Sequence, residues 1–270
     1  MKPLYLYLFS LAGLCALPAA TYGQSKLYLD LKVGANYTFA EGAHFGKGTK
    51  PFKAHSKLGF DEQGVAMLRL QVRETWGIAA GYSGSTLGWA YSLQMPQQYT
   101  VNPFHGEWRG SGRGVYLHQF PVLFSRKIGE YNIREIDTVR HLYLASFRLD
   151  AVLGTGLNWN NRTCFECSSL SGGGLAYDTI DFKETIITRR RFGTFVLAGV
   201  TARFYRLGKE RLNLSLYYTQ GLTDMLLVPV EYRYNSQRGS TTLHVRGSGL
   251  SATLGVPIRL KTFTARSAPR

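Results

Sequence analysis

Several features that would assign this chain to a familiar class are missing from it. After Gln24 there is no run of about 18 uninterrupted apolar residues, which excludes a helical membrane protein. No Pro-rich or Ser-rich linker and no solenoid-length repeat divide the chain, which indicates a single domain. Gly-x-Ser-x-Gly, His-Glu-x-x-His and Gly-rich phosphate-loop motifs are absent, so we predict no catalytic residue and no enzyme activity.

Acidic residues are scarce. The chain has 17 Asp and Glu against 32 Lys and Arg, a formal charge of +15 and a pI near 9.8, a balance that would ordinarily suggest a nucleic-acid partner. The export signal described next argues against nucleic acid. The anionic partners we expect instead are lipid phosphates and acidic glycans of the cell envelope.

The N-terminus has the pattern of a signal peptide. Lys2 supplies a positive start, residues 4–16 form an apolar run, and small residues follow. The apolar run is shorter than the roughly 20 residues of a membrane-spanning helix. We expect cleavage after Gly23, which leaves residues 24–270 as the mature domain. Cys15 would suit a lipoprotein, but the bulky Leu14 before it disfavours lipid attachment.

Only two cysteines, Cys164 and Cys167, follow that cleavage site. Zinc normally takes four ligands, and no further cysteine or nearby histidine supplies the rest, so we predict no metal and no cofactor. The pair lies in a long Ser/Gly-rich loop rather than at the start of a helix, which argues against a thioredoxin-like role. In an exported chain we expect a local disulfide, with two free thiols as the alternative.

Beyond residue 24, apolar and polar residues alternate with a period of two, which is typical of extended strands. In the first segment the apolar positions are Leu27, Leu29, Leu31, Val33, Ala35, Tyr37 and Phe39. The other segments span residues 65–73, 76–91, 115–126, 141–159, 192–207, 212–223 and 241–263, which makes about eight strands. The first is longer than the roughly 9–11 residues that a tilted membrane strand needs, whereas soluble strands average roughly 5–6.

The connections between these segments alternate in length. Residues 73–76 and 208–211 form tight links and 127–140 an intermediate one, whereas 40–64, 93–114, 160–191 and 225–240 are long. Short turns on one side and long loops on the other are typical of outer-membrane barrels. Trp76, Trp89 and Trp159 lie near the ends of the segments, which suits two interfacial girdles; the alternative is that they are core tryptophans.

These patterns predict an all-β protein that is an eight-stranded antiparallel up-and-down transmembrane β-barrel. Its apolar faces would contact lipid, and its polar faces would fill the interior. A soluble secreted β-sandwich shows the same alternation with the apolar faces turned inward, and it remains the alternative fold.

Three stretches resemble the PorT-like outer-membrane β-barrel family of Bacteroidota. They are residues 33–37 (VGANY), 117–123 (LHQFPVL) and 254–260 (LGVPIRL), whose order and spacing cover most of the mature chain. His118 and Gln119 depart from the family's usual apolar and acidic residues, and seven residues follow Phe263 where such chains commonly stop. The resemblance implies an outer-membrane location and insertion from the periplasm by the barrel insertion machinery. It implies no reaction.

Charged residues on the polar faces should point into the barrel, because facing them to lipid is costly. By this reasoning the lumen charge network consists of Asp30, Lys32, Arg69, Arg73, Arg148, Asp150 and Arg203. An eight-stranded barrel is only just wide enough to be filled by its own side chains, so we expect a plug rather than a pore. The set has more cations than carboxylates, which leaves an anion or water unassigned.

A second basic set is expected at the outer surface. Lys47, Lys50, Lys53 and Lys57 lie in the first long loop, and Arg189, Arg190 and Arg191 precede the sixth segment. Arginine makes bidentate phosphate contacts, so the three arginines are candidates for lipopolysaccharide contact, with a solvated charged rim as the alternative. The predicted role is structural or binding, and an unidentified envelope protein is a further candidate partner.

The alternative from another class is an outer-membrane acyl hydrolase. His118, with Ser83 or Ser85 from the preceding segment, is its best candidate pair. A Ser–His pair needs hydrogen-bond reach and a third group that orients the base, and the sequence offers no acidic partner.

Overall fold

The computed structural model describes residues 25–41, 53–57, 59–72, 75–94, 107–137, 142–161, 166–175, 178–234 and 237–263. Nearly all of them lie in strands. The strands are β1 (Ser25–Thr38), β2 (Lys53–Lys57), β3 (Gly59–Val72), β4 (Trp76–Gln94), β5 (Glu107–Asp137), β6 (Leu142–Asn160), β7 (Glu166–Leu175), β8 (Asp178–Thr188), β9 (Phe192–Arg206), β10 (Lys209–Gly221), β11 (Leu226–Tyr234), β12 (Gln237–Val245) and β13 (Gly249–Phe263). In this part of the chain there is no helix long and apolar enough to cross a membrane.

Eight of the strands form a closed ring. Their order is β4-β3-β1-β13-β10-β9-β6-β5, and β5 pairs back with β4. Every pairing in the ring is antiparallel. Neighbours in the ring follow one another along the chain, apart from two inserted hairpins and β2, so the barrel is up-and-down. Closure pairs the backbone groups that hydrocarbon could not satisfy.

The two faces of the ring differ sharply in composition. Phe147 and Leu149 lie on the outer face of β6, whereas Arg148 and Asp150 are 4% and 0% exposed in the interior. The outer face carries exposed apolar side chains on most ring strands, namely Leu31, Val33, Leu68, Phe124, Leu153, Val196, Val200, Leu214, Leu216, Leu254, Val256 and Ile258. A sandwich would bury these faces against a second sheet. The predicted eight-stranded antiparallel transmembrane β-barrel is therefore confirmed, and the soluble sandwich is wrong.

The two ends of the barrel differ in their connections. At the short-turn end, residues 73–75, 138–141 and 207–208 join β3 to β4, β5 to β6, and β9 to β10. Leu207 and Gly208 have φ values of 50° and 69°, the signature of a two-residue type I′ turn. At the long-loop end, β6 and β9 are joined through β7 and β8, and β10 and β13 through β11 and β12.

Three of the long connections contain strands that the sequence did not predict. β2 lies within residues 40–64, and the other two connections contain the remaining strands. β7, β8, β11 and β12 form a separate antiparallel sheet in the order β12-β11-β8-β7. Residues 160–191 and 225–240 were expected to be loops, because the three glycines of β7 and the polar residues of β12 break the apolar alternation. The expected segment 241–263 is in fact two strands, since residues 246–248 separate β12 from β13.

The connection expected at residues 127–140 is mostly strand. β5 has 31 residues and continues to Asp137, past Arg126, which pairs with the first residue of β4. Beyond that point β5 pairs with β6. Register shifts interrupt this pairing at several places, so the alternation read from the sequence fades there.

The girdle prediction is wrong for one of its three tryptophans. Trp76 stacks on Phe124 near the short-turn end, with ring centroids 6.2 Å apart, and Trp159 stacks on His118 near the long-loop end at 4.6 Å. Trp89, in contrast, is 1% exposed. Trp89 falls on the interior face of β4 with Ser83 and Ser85, and so belongs to the core.

Candidate functional site

The lumen near the short-turn end is filled by ion pairs centred on Glu210. Its carboxylate oxygen Oε2 lies 2.8 Å from Arg69 Nη2, and Oε1 lies 3.1 Å from Arg203 Nη1. Arg69 also donates from Nε to Asp30 Oδ2 at 2.8 Å. The guanidinium carbon of Arg69 lies 4.2 Å from the ring centroid of Tyr28, a cation–π distance. Each partner thus makes several charge-assisted contacts.

Asp150 extends the same network across the lumen. Its Oδ1 accepts from Arg148 Nε and its Oδ2 from Arg203 Nε, each at 2.5 Å. Because Arg203 contacts both Asp150 and Glu210, all the ion pairs are connected. Burying ions is costly unless the remaining donors and acceptors are satisfied, and this connected geometry satisfies most of them.

We call this network the plug; it comprises Asp30, Arg69, Arg148, Asp150, Arg203 and Glu210. Three guanidinium groups face three carboxylates, so the plug is electrically neutral. Of the other predicted lumen residues, Lys32 lies in the interior but outside the plug, and Arg73 falls outside the described residues. The plug places six buried charged side chains in the lumen, in keeping with the width of an eight-stranded barrel, which its own side chains can fill.

Glu210 is the plug residue that sequence reasoning missed. On β10 the interior residues have odd numbers, such as Asn213 and Ser215, so alternation alone would place residue 210 outside. A register shift between Glu210 and Leu212 adds one residue and turns Glu210 inward, opposite Tyr205. A bulge of this kind changes the face of everything beyond it, and no sequence signal marked it.

A further unit, which we call the lid, lies at the long-loop end of the barrel. We define the lid as β11, β12 and residues 246–248. Gly247 has φ +80°, and a Cβ there would lie 3.3 Å from Leu117 Cδ2 and 3.4 Å from Asn158 Nδ2, both side chains of the inner wall. The apolar lid residues Leu226, Val228, Val230, Leu243 and Val245 are at most 1% exposed. The neighbouring strand β8 is tied to the wall by Glu184, whose Oε1 accepts from Trp89 Nε1 at 3.0 Å.

Polar contacts that we call the clasp hold the lid to the rim. Arg246 donates from Nη1 to Glu41 Oε2 at 2.7 Å and from Nε to Asp224 Oδ1 at 2.5 Å. Asp224 Oδ2 also lies 3.1 Å from both Arg189 Nη1 and His244 Nδ1. Burial opposes ionisation of Asp224, but hydrogen bonds from Arg246 and His244 outweigh it and lower the pKa of this carboxyl. The hydrogen bond to Asp224 raises the pKa of Arg246.

We expect Asp224→Asn to shift the opening equilibrium of the lid by about 1 kcal/mol, or roughly fivefold, a small effect because the clasp is partly exposed to solvent.

The lid should also respond to pH. Because the pKa of the Asp224 carboxyl is lowered in the closed lid, its ionised form stabilises the closed state at pH values above the ordinary pKa of Asp. That stability is lost as the pH falls through the folded-state pKa. The wild type should therefore open increasingly below pH 3.8, the ordinary value for Asp. Amide hydrogen exchange of β11 and β12 measures both effects.

Glu231→Gln is the matched control for this substitution, since Glu231 is an exposed acid on the same lid with no clasp contact. It should leave exchange unchanged. Equal protection of β11 and β12 in the Asp224→Asn and wild-type proteins would show that the clasp does not hold the lid.

The residues of the candidate hydrolase lie on opposite faces of the sheet. Ser83 and Ser85 are 4% and 1% exposed in the interior, whereas His118 lies on the outer face. There His118 Nδ1 is 2.8 Å from Tyr82 Oη, and its ring packs against Tyr116 and Trp159. Gly84 of β4 is paired in register with His118 of β5, so the serines on either side of Gly84 face away from His118. No Ser–His pair forms, so this geometry gives no nucleophile and base.

The three consecutive arginines lie at the long-loop end. Arg189, Arg190 and Arg191 are exposed between β8 and β9, and the backbone N–H groups of the first two donate to Met225 O at 3.0 and 3.3 Å. This places them beside the clasp. Of the predicted loop lysines, Lys53 and Lys57 end strand β2, which pairs with β4, and Lys47 and Lys50 lie outside the described residues.

The predicted disulfide also lies largely outside the described residues. Cys167 belongs to β7, and Cys164 falls among residues 162–165, which lie outside the described residues. Within the described ranges, no group of three or more His, Cys, Asp or Glu side chains is placed to hold a metal ion.

Comparison with known proteins gives distant structural likenesses. No family model and no curated protein matches the chain. The outer membrane protein OprG from Pseudomonas aeruginosa is similar at 10% identity and a TM-score of 0.37, covering 88% of this chain and 97% of that chain. The COG4313 outer membrane channel from Pseudomonas putida F1 is similar at 8% identity and a TM-score of 0.18, covering 88% of this chain and 96% of that one. Likenesses this distant carry no ligand or activity over to this chain.

Proposed function

We propose that this chain is an outer-membrane β-barrel with a structural or binding role, that it catalyses no reaction, and that it acts through the basic surface at its long-loop end. The observation that carries the proposal is a barrel with an apolar exterior whose interior contains the plug, with Gly247 of the lid against the inner wall. The plug fills part of the lumen with side chains. Recognition therefore falls to the outer surface.

The charge of that surface supports an anionic partner. Lys183, Arg189, Arg190 and Arg238 are exposed on strands and connections of the long-loop end. In the proposed orientation this end faces outward, where lipopolysaccharide phosphates lie at the level of the barrel rim. Arginine is suited to such contacts because its planar guanidinium binds phosphate through two hydrogen bonds.

Export and membership of the PorT-like barrels are part of the same proposal. The chain would be exported by residues 1–23 and inserted from the periplasm by the barrel insertion machinery. Two of the three stretches that carry the resemblance, residues 117–123 and 254–260, lie within ring strands β5 and β13, and the third lies within β1. All three stretches thus lie in the barrel wall, which supports this part of the proposal.

The test compares lipopolysaccharide binding by the wild type and by the triple variant Arg189→Gln, Arg190→Gln, Arg191→Gln. Three rim contacts of about 0.5 kcal/mol each would weaken binding about tenfold when all are removed. The measurement is association of the purified barrel with vesicles that contain lipopolysaccharide, at low salt, where surface charges are least screened.

The matched control replaces three basic residues at the opposite end, Arg206, Lys209 and Arg211, with Gln. All three are exposed near the short-turn end and lie away from the proposed surface, so binding should not change. If the two triple variants bind equally well, the arginines do not contact lipopolysaccharide, and pull-down of an envelope protein becomes the next experiment. Recovery of the native protein from a soluble fraction would contradict the membrane location itself.

A further inference from the structure

Lys32 is a buried cation without a carboxylate partner. Lys32 is 6% exposed, and its ammonium Nζ donates to the hydroxyl of Ser215 at 2.8 Å. The same nitrogen lies 5.7 Å from the ring centroid of Tyr217. Among the described residues, the other buried cations of the lumen each contact a carboxylate, and Lys32 contacts none.

The nearby acids are already occupied. Asp30 lies two positions away on the same face of β1, but both of its oxygens accept hydrogen bonds from Arg69. Glu210 and Asp150 serve the arginines of the plug, which is neutral by itself. Asp61 is another buried acid, and it is paired in register with Asn36. Asn36 lies four residues beyond Lys32 along β1, so Asp61 is about 13 Å nearer the long-loop end than Lys32. The charge of Lys32 is thus left over.

A cavity lies beside this charge. It has a volume of about 30 Å³, and its lining includes Lys32, Gln63, Ser83, Tyr217 and Thr253. A single water needs roughly 10–15 Å³ of cavity volume, so this cavity has room for one small ion, with or without a water. It is too small for a sugar or a peptide. It lies among interior residues of the ring strands.

Polar groups in the cavity wall lack partners within the described part of the chain. Thr253 Oγ1 is buried without a hydrogen bond, and its hydroxyl can rotate to donate into the cavity. Gln63 Oε1 is also unpaired, while its Nε2 donates to Ser83 Oγ at 2.8 Å. A half-turn of this amide keeps a hydrogen bond to Ser83, because the hydroxyl then donates, and presents the NH₂ group to the cavity.

From this combination we propose that the lumen binds a small monovalent anion, a halide such as chloride, beside Lys32 Nζ. An ammonium and rotatable donors around a cavity of this volume match the charge and size of such an ion. Water would satisfy the hydrogen bonds but would leave the buried charge uncompensated, which is costly in a low-dielectric interior. A cation would be repelled by Lys32.

The test exchanges chloride for bromide, which is located by its anomalous scattering. The barrel is refolded and crystallised in bromide, so that the ion need not cross the plug or the lid. We expect an anomalous peak within hydrogen-bond distance of Lys32 Nζ in the wild type. The peak should vanish in Lys32→Met, which keeps the length of the side chain, and persist in Lys209→Met, an exposed lysine at the short-turn end.

A solution measurement covers the case in which Lys32→Met does not fold. At fixed ionic strength, replacing gluconate by chloride should lower the unfolding equilibrium constant of the wild type about tenfold once chloride reaches roughly ten times its dissociation constant. Thr253→Val retains the lysine and should reduce this response. Absence of a bromide peak in the wild type, a peak that survives in Lys32→Met, or equal stability in gluconate and molar chloride would each overturn the proposal.

Discussion

Glu210→Gln is expected to destabilise the folded barrel by about 3–5 kcal/mol, the cost of removing one partner from a buried ion pair. The substitution keeps the shape of the side chain and removes its charge. Arg69 and Arg203 then share only Asp30 and Asp150, although Arg148 also depends on Asp150. The plug would then carry a net charge of +1. That charge would be buried, because the Glu210 side chain is 0% exposed.

Urea-induced unfolding in lipid vesicles, followed by tryptophan fluorescence, measures this loss. Glu130→Gln is the control, because Glu130 pairs with Lys127 on the exposed continuation of β5 and its removal should cost at most about 1 kcal/mol. If both variants unfold at the same urea concentration, the plug contributes no more than a surface ion pair. Asp150→Asn should repeat the effect of Glu210→Gln, since Asp150 bridges Arg148 and Arg203.

Leu214→Arg is expected to cost about 2–4 kcal/mol of folding free energy, the range for a cation at the middle of a bilayer on the lipid face of a barrel. Leu214 points outward from β10 and is directly opposite Leu254 of β13, which is in turn opposite Val33 of β1. These three side chains form an apolar row across three adjacent strands. A guanidinium placed in this row would have to be drawn toward the interface or hydrated within the hydrocarbon.

Leu222→Arg separates membrane burial from simple loss of a leucine. Leu222 is 58% exposed and follows the last residue of β10, at the rim of the long-loop end. There the same change should cost no more than about 1 kcal/mol. Folding free energies in vesicles, obtained from urea titrations, give the comparison. A neutral Leu214→Arg would mean that the outer face contacts water, and the membrane assignment would fail.

The alternation of residues in the sequence predicted the wall of the barrel well. It identified the ring strands and the direction of Arg148 and Asp150, because the face of a residue within one regular strand depends only on local parity. It could not place Glu210, because a bulge reverses parity and leaves no mark in composition. It also misplaced Trp89, since an aromatic residue suits a girdle and a core equally well.

The lid lay further beyond the reach of sequence reasoning. Its strands pair with one another and with β8, which lies many residues away in the chain, and such pairings have no local signature. The clasp has no local signature either, since Glu41 and His244, which form an isolated β-bridge, are separated by more than half of the chain. Hence the charged interior could be expected from the sequence, whereas the closure above it required the folded structure.

The pairing of β1 with β13 makes the two extremities of the domain neighbours, with Ser25 opposite Phe263. Every other junction in the wall links ring strands that follow one another along the chain, through a short turn, a longer connection or an inserted hairpin. Closing the first strand onto the last spans the longest loop and carries the largest entropic penalty. We therefore expect this seam to form last during assembly. Because the two ends are neighbours, a short linker could join them in a circular permutant whose new ends are opened at another turn.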